Sequence, residues 1–350
     1  MKKKKLTVIF ILVFTILLTS FTFYGYQMMF TPNVLVGKTD KILYIEPGES
    51  FKDLQDKLHK QKYVNDLMSF SFIAKILKYD KSMKPGRFLL KADMNNMEAV
   101  RLLRSGKQAP VNLTFNNIRL KSELSEKLTA RLAISPEEFV RALDSFIESN
   151  KLGFNENNII SMFIPNTYQV YYDISAEGLV ERMLYEYNQF WTDARKAKAK
   201  EIGLNQQEVS TLASIVQAES VKADESKRIA GLYMNRLKRG IALQADPTLV
   251  FASGDFALKR VLNEHKEIDS PYNTYMYPGL PPGPINMPTI RSIDAVLNYE
   301  HNDYIYMCAK EDFSGYHNFA SNYAQHMVNA RKYQRQLSIE QRKARQNQVQ

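Results

Sequence analysis

The chain has 350 residues, 45% hydrophobic and 24% charged, which excludes a disordered polymer and leaves room for two or three domains. Its formal net charge is +10; Lys2–Lys5 supply four of these charges, and the thin spread of the rest, with no zinc-finger, RNP or heptad pattern, speaks against a nucleic-acid footprint. A single cysteine excludes an intramolecular disulfide framework, while five scattered histidines and the lack of a G-x-S-x-G elbow speak against metal and serine-hydrolase chemistry.

After a basic stub, residues 1–5, comes "LTVIFILVFTILLTSFTFYGY", Leu6–Tyr26, with no further charge before Lys38. About 20 apolar residues span a bilayer core as a helix, and lysines on the short side stay in the cytoplasm. A cleaved signal peptide is the alternative, but the run exceeds a usual h-region and no small-x-small site follows. An uncleaved signal-anchor is expected, with the rest of the chain outside the cell membrane and residues 27–40 as a linker.

Residues 41–110 predict a small α+β unit. "KILYIEPGES" reads as a strand, a Pro-Gly turn and a capping Ser50; Phe51, Leu54 and Leu58 follow at helical spacing. "RFLLKA" predicts another strand and "NNMEAVRLLRSGK" a helix stopped by Gly106. Residues 111–160 read as a second small subdomain or linker region: Leu124, Lys127 and Leu128 fall 70 positions after Leu54, Lys57 and Leu58, a faint echo of the first unit. A helix starts at Ser135-Pro136, and "MFIPNTYQVYYDIS" predicts a strand or ordered loop.

Residues 161–336 form the third expected unit, with a polar tail at 337–350. Ala176–Ile202 predicts one long helix. In the next, Asn205 caps, Glu208 completes a capping box, and Val209, Leu212, Ile215 and Val216 form a buried face. In "ASIVQAES", Glu219 lies roughly 20° round from Leu212 at about 100° per residue, so a carboxylate projects from the apolar side. The helix C-terminus and apolar neighbours both raise a carboxyl pKa, as a general acid for glycosidic cleavage requires. The plain alternative is a frayed helix end with Glu219 in solvent or paired with Lys222. A further helix is expected from a capping Asp224 to Gly240. Gln244, Asp246 and Thr248 cluster in "LQADPT", where an Asp before Pro is commonly a cap. The Pro-rich loop Ser270–Pro288 carries Tyr272, Asn273, Thr274, Tyr275 and Tyr277, aromatic faces beside amides and hydroxyls that suit a sugar. Cys308 in "DYIYMCAK" reads as a buried strand residue, and His317 with Asn318 falls at a strand end before a helix.

In their order and spacing, "ASIVQAES", "NRL", "LQADPT", "YNTY", "GLPPGPI" and "HNF" resemble the endolytic murein transglycosylases, the MltG or YceG-like family. The resemblance covers about 163–333, and more loosely the region from Lys41, where "IEPGES" looks like the family's LysM-like unit. It departs at Met287, where the family usually has Asn before Pro, and at Asn166, which replaces a usual acidic residue. The resemblance implies an α+β protein with an N-terminal transmembrane helix, a LysM-like domain and a mixed α+β catalytic domain. It also implies a membrane-anchored lyase that cuts peptidoglycan strands internally, with Glu219 as acid and then base and no cofactor. Gln244, Asp246, Tyr272, Asn273, Thr274, Tyr275, His317 and Asn318 are the expected glycan-binding residues, and penicillin-binding glycan polymerases the implied partners. A non-catalytic peptidoglycan-binding scaffold and a hydrolase leaving reducing ends are the alternatives.

Overall fold

The computed structural model describes residues 2–348 except Lys259; Met1 of the expected stub and Val349 and Gln350 of the expected tail lie outside the described residues. Two compact units emerge, one of residues up to Leu113 with 129–135 and 168–175, the other of 114–128, 136–167 and 176 onward. The stretch 111–160 is therefore shared between them.

Helix α1 (Lys2–Phe30) is long and apolar enough to cross a membrane, with mean hydropathy 2.5 over its apolar window. It continues past Tyr26, so the first residues of the expected linker are helical, and Pro32–Val34 forms strand β1. The rest of the first unit begins with β2 (Lys41–Ile45), α2 (Phe51–Lys60), α3 (Leu67–Ile76) and β3 (Gly86–Leu90). It continues with β4 (Met94–Asn95) and α4 (Asn96–Ser105). Strands β2 and β3 pair antiparallel, from Lys41 opposite Leu90 to Ile45 opposite Gly86. Ser50 caps α2 in a capping box with Asp53, and Gly106 ends α4 at φ 72°. Leu43, Ile45, Leu54, Leu58, Phe70, Ile73 and Phe88 fill the core, alternate strand positions meeting one face of each helix.

Next come β5 (Val111–Thr114), α5 (Lys121–Thr129), α6 (Pro136–Ser149) and β6 (Thr167–Val170), with β5 paired to β6. The strand–helix–helix–strand order of β2 to β3 thus recurs, and Leu124 and Leu128 are buried on α5 as Leu54 and Leu58 are on α2. Asn166 uses its side chain to accept the Thr167 N–H.

The long helix expected over Ala176–Ile202 is broken into α7 (Ala176–Phe190) and α8 (Asp193–Glu201). Thr192 accepts the Arg195 N–H as the cap of α8, while Trp191 is fully buried at the break. A Thr amid helix formers conceals the break, because the polar and apolar rhythm continues across it.

Helix α9 (Gln206–Glu219) starts as expected: Asn205 accepts the Glu208 N–H at 2.9 Å, and Glu208 accepts the Asn205 N–H at 2.7 Å. It is buried all round rather than on one face; every residue from Val209 to Val216 is buried, including Ser210, Thr211 and Ser214. Around it pack α8, α10 (Ser226–Lys238), α11 (Asp246–Ser253) and α12 (Ile290–Leu297). Of its buried polar residues, Ser214 ties a neighbouring segment: its Oγ accepts the Ile285 N–H at 3.0 Å, and the Asn286 side-chain amide donates to Ser214 O at 3.1 Å. Gln217 takes the Thr289 N–H at 2.6 Å, so α9 clamps the proline-rich segment along its length. Gly283 in that segment approaches the Asn157 carbonyl so closely that a Cβ would lie 1.8 Å from it. Met287 is fully buried, an apolar filler in the place where the family usually carries Asn. An antiparallel pair, β7 (Tyr306–Ala309) and β8 (His317–Ala320), precedes α13 (Tyr323–Gln348), which carries helix into the expected polar tail as far as Gln348.

Candidate active site

Glu219 is the last residue of α9, and Ser220 beyond it is extended. Its carboxyl does not turn to open solvent. The Tyr233 hydroxyl, from buried α10, donates to Glu219 Oε1 at 2.6 Å. Lys222 lies over the Tyr316 ring at 4.8 Å instead of pairing with Glu219. Burial, the largest influence, pushes the carboxyl up to about 7; the Tyr233 hydrogen bond opposes this, the negative charge of Asp246 adds to it and Arg236 opposes it. Tyr233 is itself driven well above its ordinary value by burial and by Glu219, so it stays a donor.

The surroundings hold that environment in place. Arg236, 8% exposed, donates through Nε to Ile305 O at 2.7 Å and through Nη1 to the Ala242 and Leu243 carbonyls at 2.9 Å. It also reaches Gln244 Oε1 at 3.3 Å. Gln244 has left-handed backbone, φ 51°, a strained conformation for a non-glycine residue that costs on the order of 1 kcal/mol. Its N–H donates to Thr274 O at 3.0 Å, which fixes the turn leading into Asp246.

Asp246 does not cap α11. It is the first helical residue, followed by Pro247, and its Oδ1 accepts the Tyr275 hydroxyl at 2.5 Å. Asp224 likewise makes no cap for α10; it accepts the Tyr316 hydroxyl at 3.1 Å. The buried carboxylate next to it, Glu225, is the residue that periodicity missed. At 4% exposed, it accepts the His317 backbone N–H at 3.0 Å and holds His317 Nδ1 at 2.9 Å. An acid in a solvent-facing "ADES" carries no sequence signal for this role, since the partner is 92 positions away. With Nδ1–H on the carboxylate, Nε2 is left as the free polar edge of the ring.

Two open hollows meet at this point. One, about 270 Å³, is lined by Glu219, Tyr233, Gln244, Asp246, Tyr275 and His317 among others. Cys308 also faces it; the thiol is only part-buried, contrary to the core position expected, and burial pushes its pKa up. The other, about 650 Å³, is lined by Gln217, Phe251, Phe256 and Asn286 and again by Glu219 and Asp246. The two carboxyls therefore stand on the partition of a two-lobed cleft.

The remaining expected residues support the cleft from behind. Asn273, 0% exposed, donates to the Lys266 and Ile268 carbonyls and accepts the Tyr275 N–H. Thr274, 1% exposed, bonds Ala245 N–H and Thr248 Oγ1. Tyr272 packs on Phe251 at 4.6 Å between ring centroids, behind the wall of the larger hollow. Asn318, on the strand next to His317, donates to Glu311 at 2.7 Å. The structure thus brings Glu219, Gln244, Asp246, Tyr275 and His317 together at the cleft surface. Tyr272, Asn273, Thr274 and Asn318 hold the loop and strand that shape it.

Fold and site define a mixed α+β protein with an N-terminal apolar helix and one raised-pKa carboxyl at the waist of a polar cleft. The chain belongs to the YceG-like family, whose model matches residues 43–332. An endolytic murein transglycosylase of Streptococcus pneumoniae serotype 2 (strain D39) is 27% identical over 339 residues, covering 87% of this chain and 61% of its own length. The chain thus spans about three fifths of that relative. An endolytic murein transglycosylase of Bacillus subtilis (strain 168) is 26% identical over 291 residues, covering 79% of this chain and 80% of its own. The crystal structure of a YceG-like protein of Listeria monocytogenes, 26% identical, matches with a TM-score of 0.54 over 83% of this chain and 98% of its own.

Proposed function

We propose that the protein is a membrane-anchored endolytic lytic transglycosylase of peptidoglycan. The observation that carries this is Glu219: one carboxyl, half protonated near pH 7, on the partition of a cleft that extends to either side. In the proposed reaction Glu219 gives its proton to the oxygen linking N-acetylmuramic acid to N-acetylglucosamine. C1 of the muramoyl sugar becomes oxocarbenium-like as the bond breaks. The Glu219 carboxylate then takes the proton of the muramoyl 6-hydroxyl, whose oxygen closes onto C1 as a 1,6-anhydro ring. Proton and electron pair balance without a second nucleophilic carboxylate. Asp246, held by Tyr275, supplies negative charge beside the developing cation. Gln244 and His317 bind the sugar rims.

The order β2–α2–α3–β3 with its antiparallel strand pair supports a LysM-like, glycan-holding role for the first unit. Lysines at the start of α1 support a cytoplasmic N-terminus and an extracytoplasmic cleft. Penicillin-binding glycan polymerases, which make the strand, are the proposed partners.

The test is full-length protein in detergent, incubated with isolated glycan strands and read by mass spectrometry. Wild type should release anhydro-ended fragments of many lengths, and Glu219→Gln should lose at least about a thousandfold in rate. Reducing-end products would make the protein a hydrolase; equal inactivity of both proteins would leave it a binding scaffold.

A further inference from the structure

The two lobes of the cleft differ in charge. In the smaller, the one arginine, Arg236, is committed to backbone carbonyls and Gln244. The larger is lined by Arg119 and Arg260, and among the described residues neither is ion-paired to an acid. The Arg119 guanidinium rests on the Phe256 ring at 4.9 Å, which orders the cation without neutralising it. The acids on this lobe's wall are Glu219 and Asp246, and Asp246 already accepts Tyr275. Asn117, on the same wall, has left-handed backbone at φ 49°, the second strained non-glycine residue lining the cleft. The lobe is therefore a preformed hollow of about 650 Å³ with two unneutralised cations and an aromatic wall, large enough for a sugar with a peptide attached.

On the glycan-cleavage reading, on which this inference rests, the sugars of a stemmed strand bring no charge of their own, because each muramoyl lactyl carboxyl is tied up in the amide to its peptide. The acidic groups of the strand are the carboxylates of its peptide stems. We propose that the Arg119–Arg260 lobe seats the carboxylates of a muramoyl peptide stem, so that the strand enters the cleft in one direction and stemmed strands are preferred. The arginines are binding residues and take no part in bond breaking.

The test uses the full-length chain in the Glu219→Gln background, so that binding is read without turnover. The probes are fluorescent glycan strands with free stem carboxylates and the same strands amidated with carbodiimide and ammonia. Free-carboxylate strands should bind roughly tenfold tighter, the scale of one charge-assisted contact, and the advantage should shrink with salt. Arg119→Gln with Arg260→Gln should abolish the difference, whereas Arg119→Lys with Arg260→Lys should keep most of it. Equal binding of the two strands, or a difference that survives the double Gln substitution, overturns the proposal. Product analysis with the wild type runs alongside. A stem preference in binding with no anhydro product would sink the transglycosylase reading and leave the stem site standing.

Discussion

Glu219 has two opposed neighbours, and this makes its chemistry testable by sign. The proposed acid must be protonated to act, so kcat/KM should fall as pH rises through about 7. Tyr233→Phe removes the hydrogen bond that stabilises the carboxylate and should move that descending limb to higher pH. Asp246→Asn removes a repelling charge and should move it lower, with kcat reduced roughly 10- to 100-fold if Asp246 also stabilises the cation. Movement of both limbs in one direction would contradict the site as described. Stability follows from the same shift. The folded carboxyl holds its proton up to about 7 against an ordinary 4.5, so the folded state loses stability as pH climbs between those values. Glu219→Gln should therefore stabilise the protein at pH 8, on the order of 3 kcal/mol, and hardly at all at pH 4; thermal melts at both pH values decide it. Helical period places this carboxyl on the apolar side, beside Leu212, Ile215 and Val216, but period alone does not separate a buried acid from a frayed helix end. Its partners are not legible in the sequence. Tyr233, which hydrogen-bonds it, and Arg236, whose charge acts on it, sit on another helix, and Glu225 holds His317 beside it; their sequences have nothing unusual about them, and only folding brings them to the site.

Among the elements, α9 shows how far local rules extend. Its capping box could be read from Asn205 and Glu208, and Asn205→Ala should cost about 1 kcal/mol, seen as a drop in melting temperature of a few degrees. Its burial on every side could not be read, since Ser210, Thr211 and Ser214 resemble a solvent face; in the fold Ile285 and Asn286 bond Ser214, and Thr211 turns its hydroxyl back onto the Gln207 carbonyl. The proline-rich loop suits a sugar-facing surface by sequence, yet its Asn273 and Thr274 are buried internal ties. Asn273→Ala should therefore lower stability as well as activity, with circular dichroism melts separating it from Gln244→Ala, which should lower activity alone. The undetected break between α7 and α8 has the same root. A Thr cap interrupts a continuous helical rhythm there, beside the fully buried Trp191.

At the level of the whole chain, an apolar N-terminal helix, a small α+β unit and a larger mixed unit could be drawn from composition and periodicity. The assignment of 111–160 to both units could not, because strand pairing between β5 and β6 is non-local. The apolar helix, read as an anchor, makes a plain prediction: the full chain should resist carbonate extraction from membranes, and deletion of residues 2–30 should release it. Cys308, the only cysteine, reports orientation, since a membrane-impermeant maleimide should label intact spheroplasts only if the larger unit lies outside.

The partition bearing Glu219 and Asp246 has a consequence for the polymer rather than for the bond. On the proposed glycan-cleavage reading, a cleft that extends past its acid on both sides would grip a strand anywhere along its length, with no need of a terminus. Scission is then statistical: the first cut in each strand halves the mean length while freeing almost no small sugar. An enzyme of this shape would act as a regulator of strand length, effective at a few events per strand, and size-exclusion profiles would collapse long before any disaccharide could be weighed.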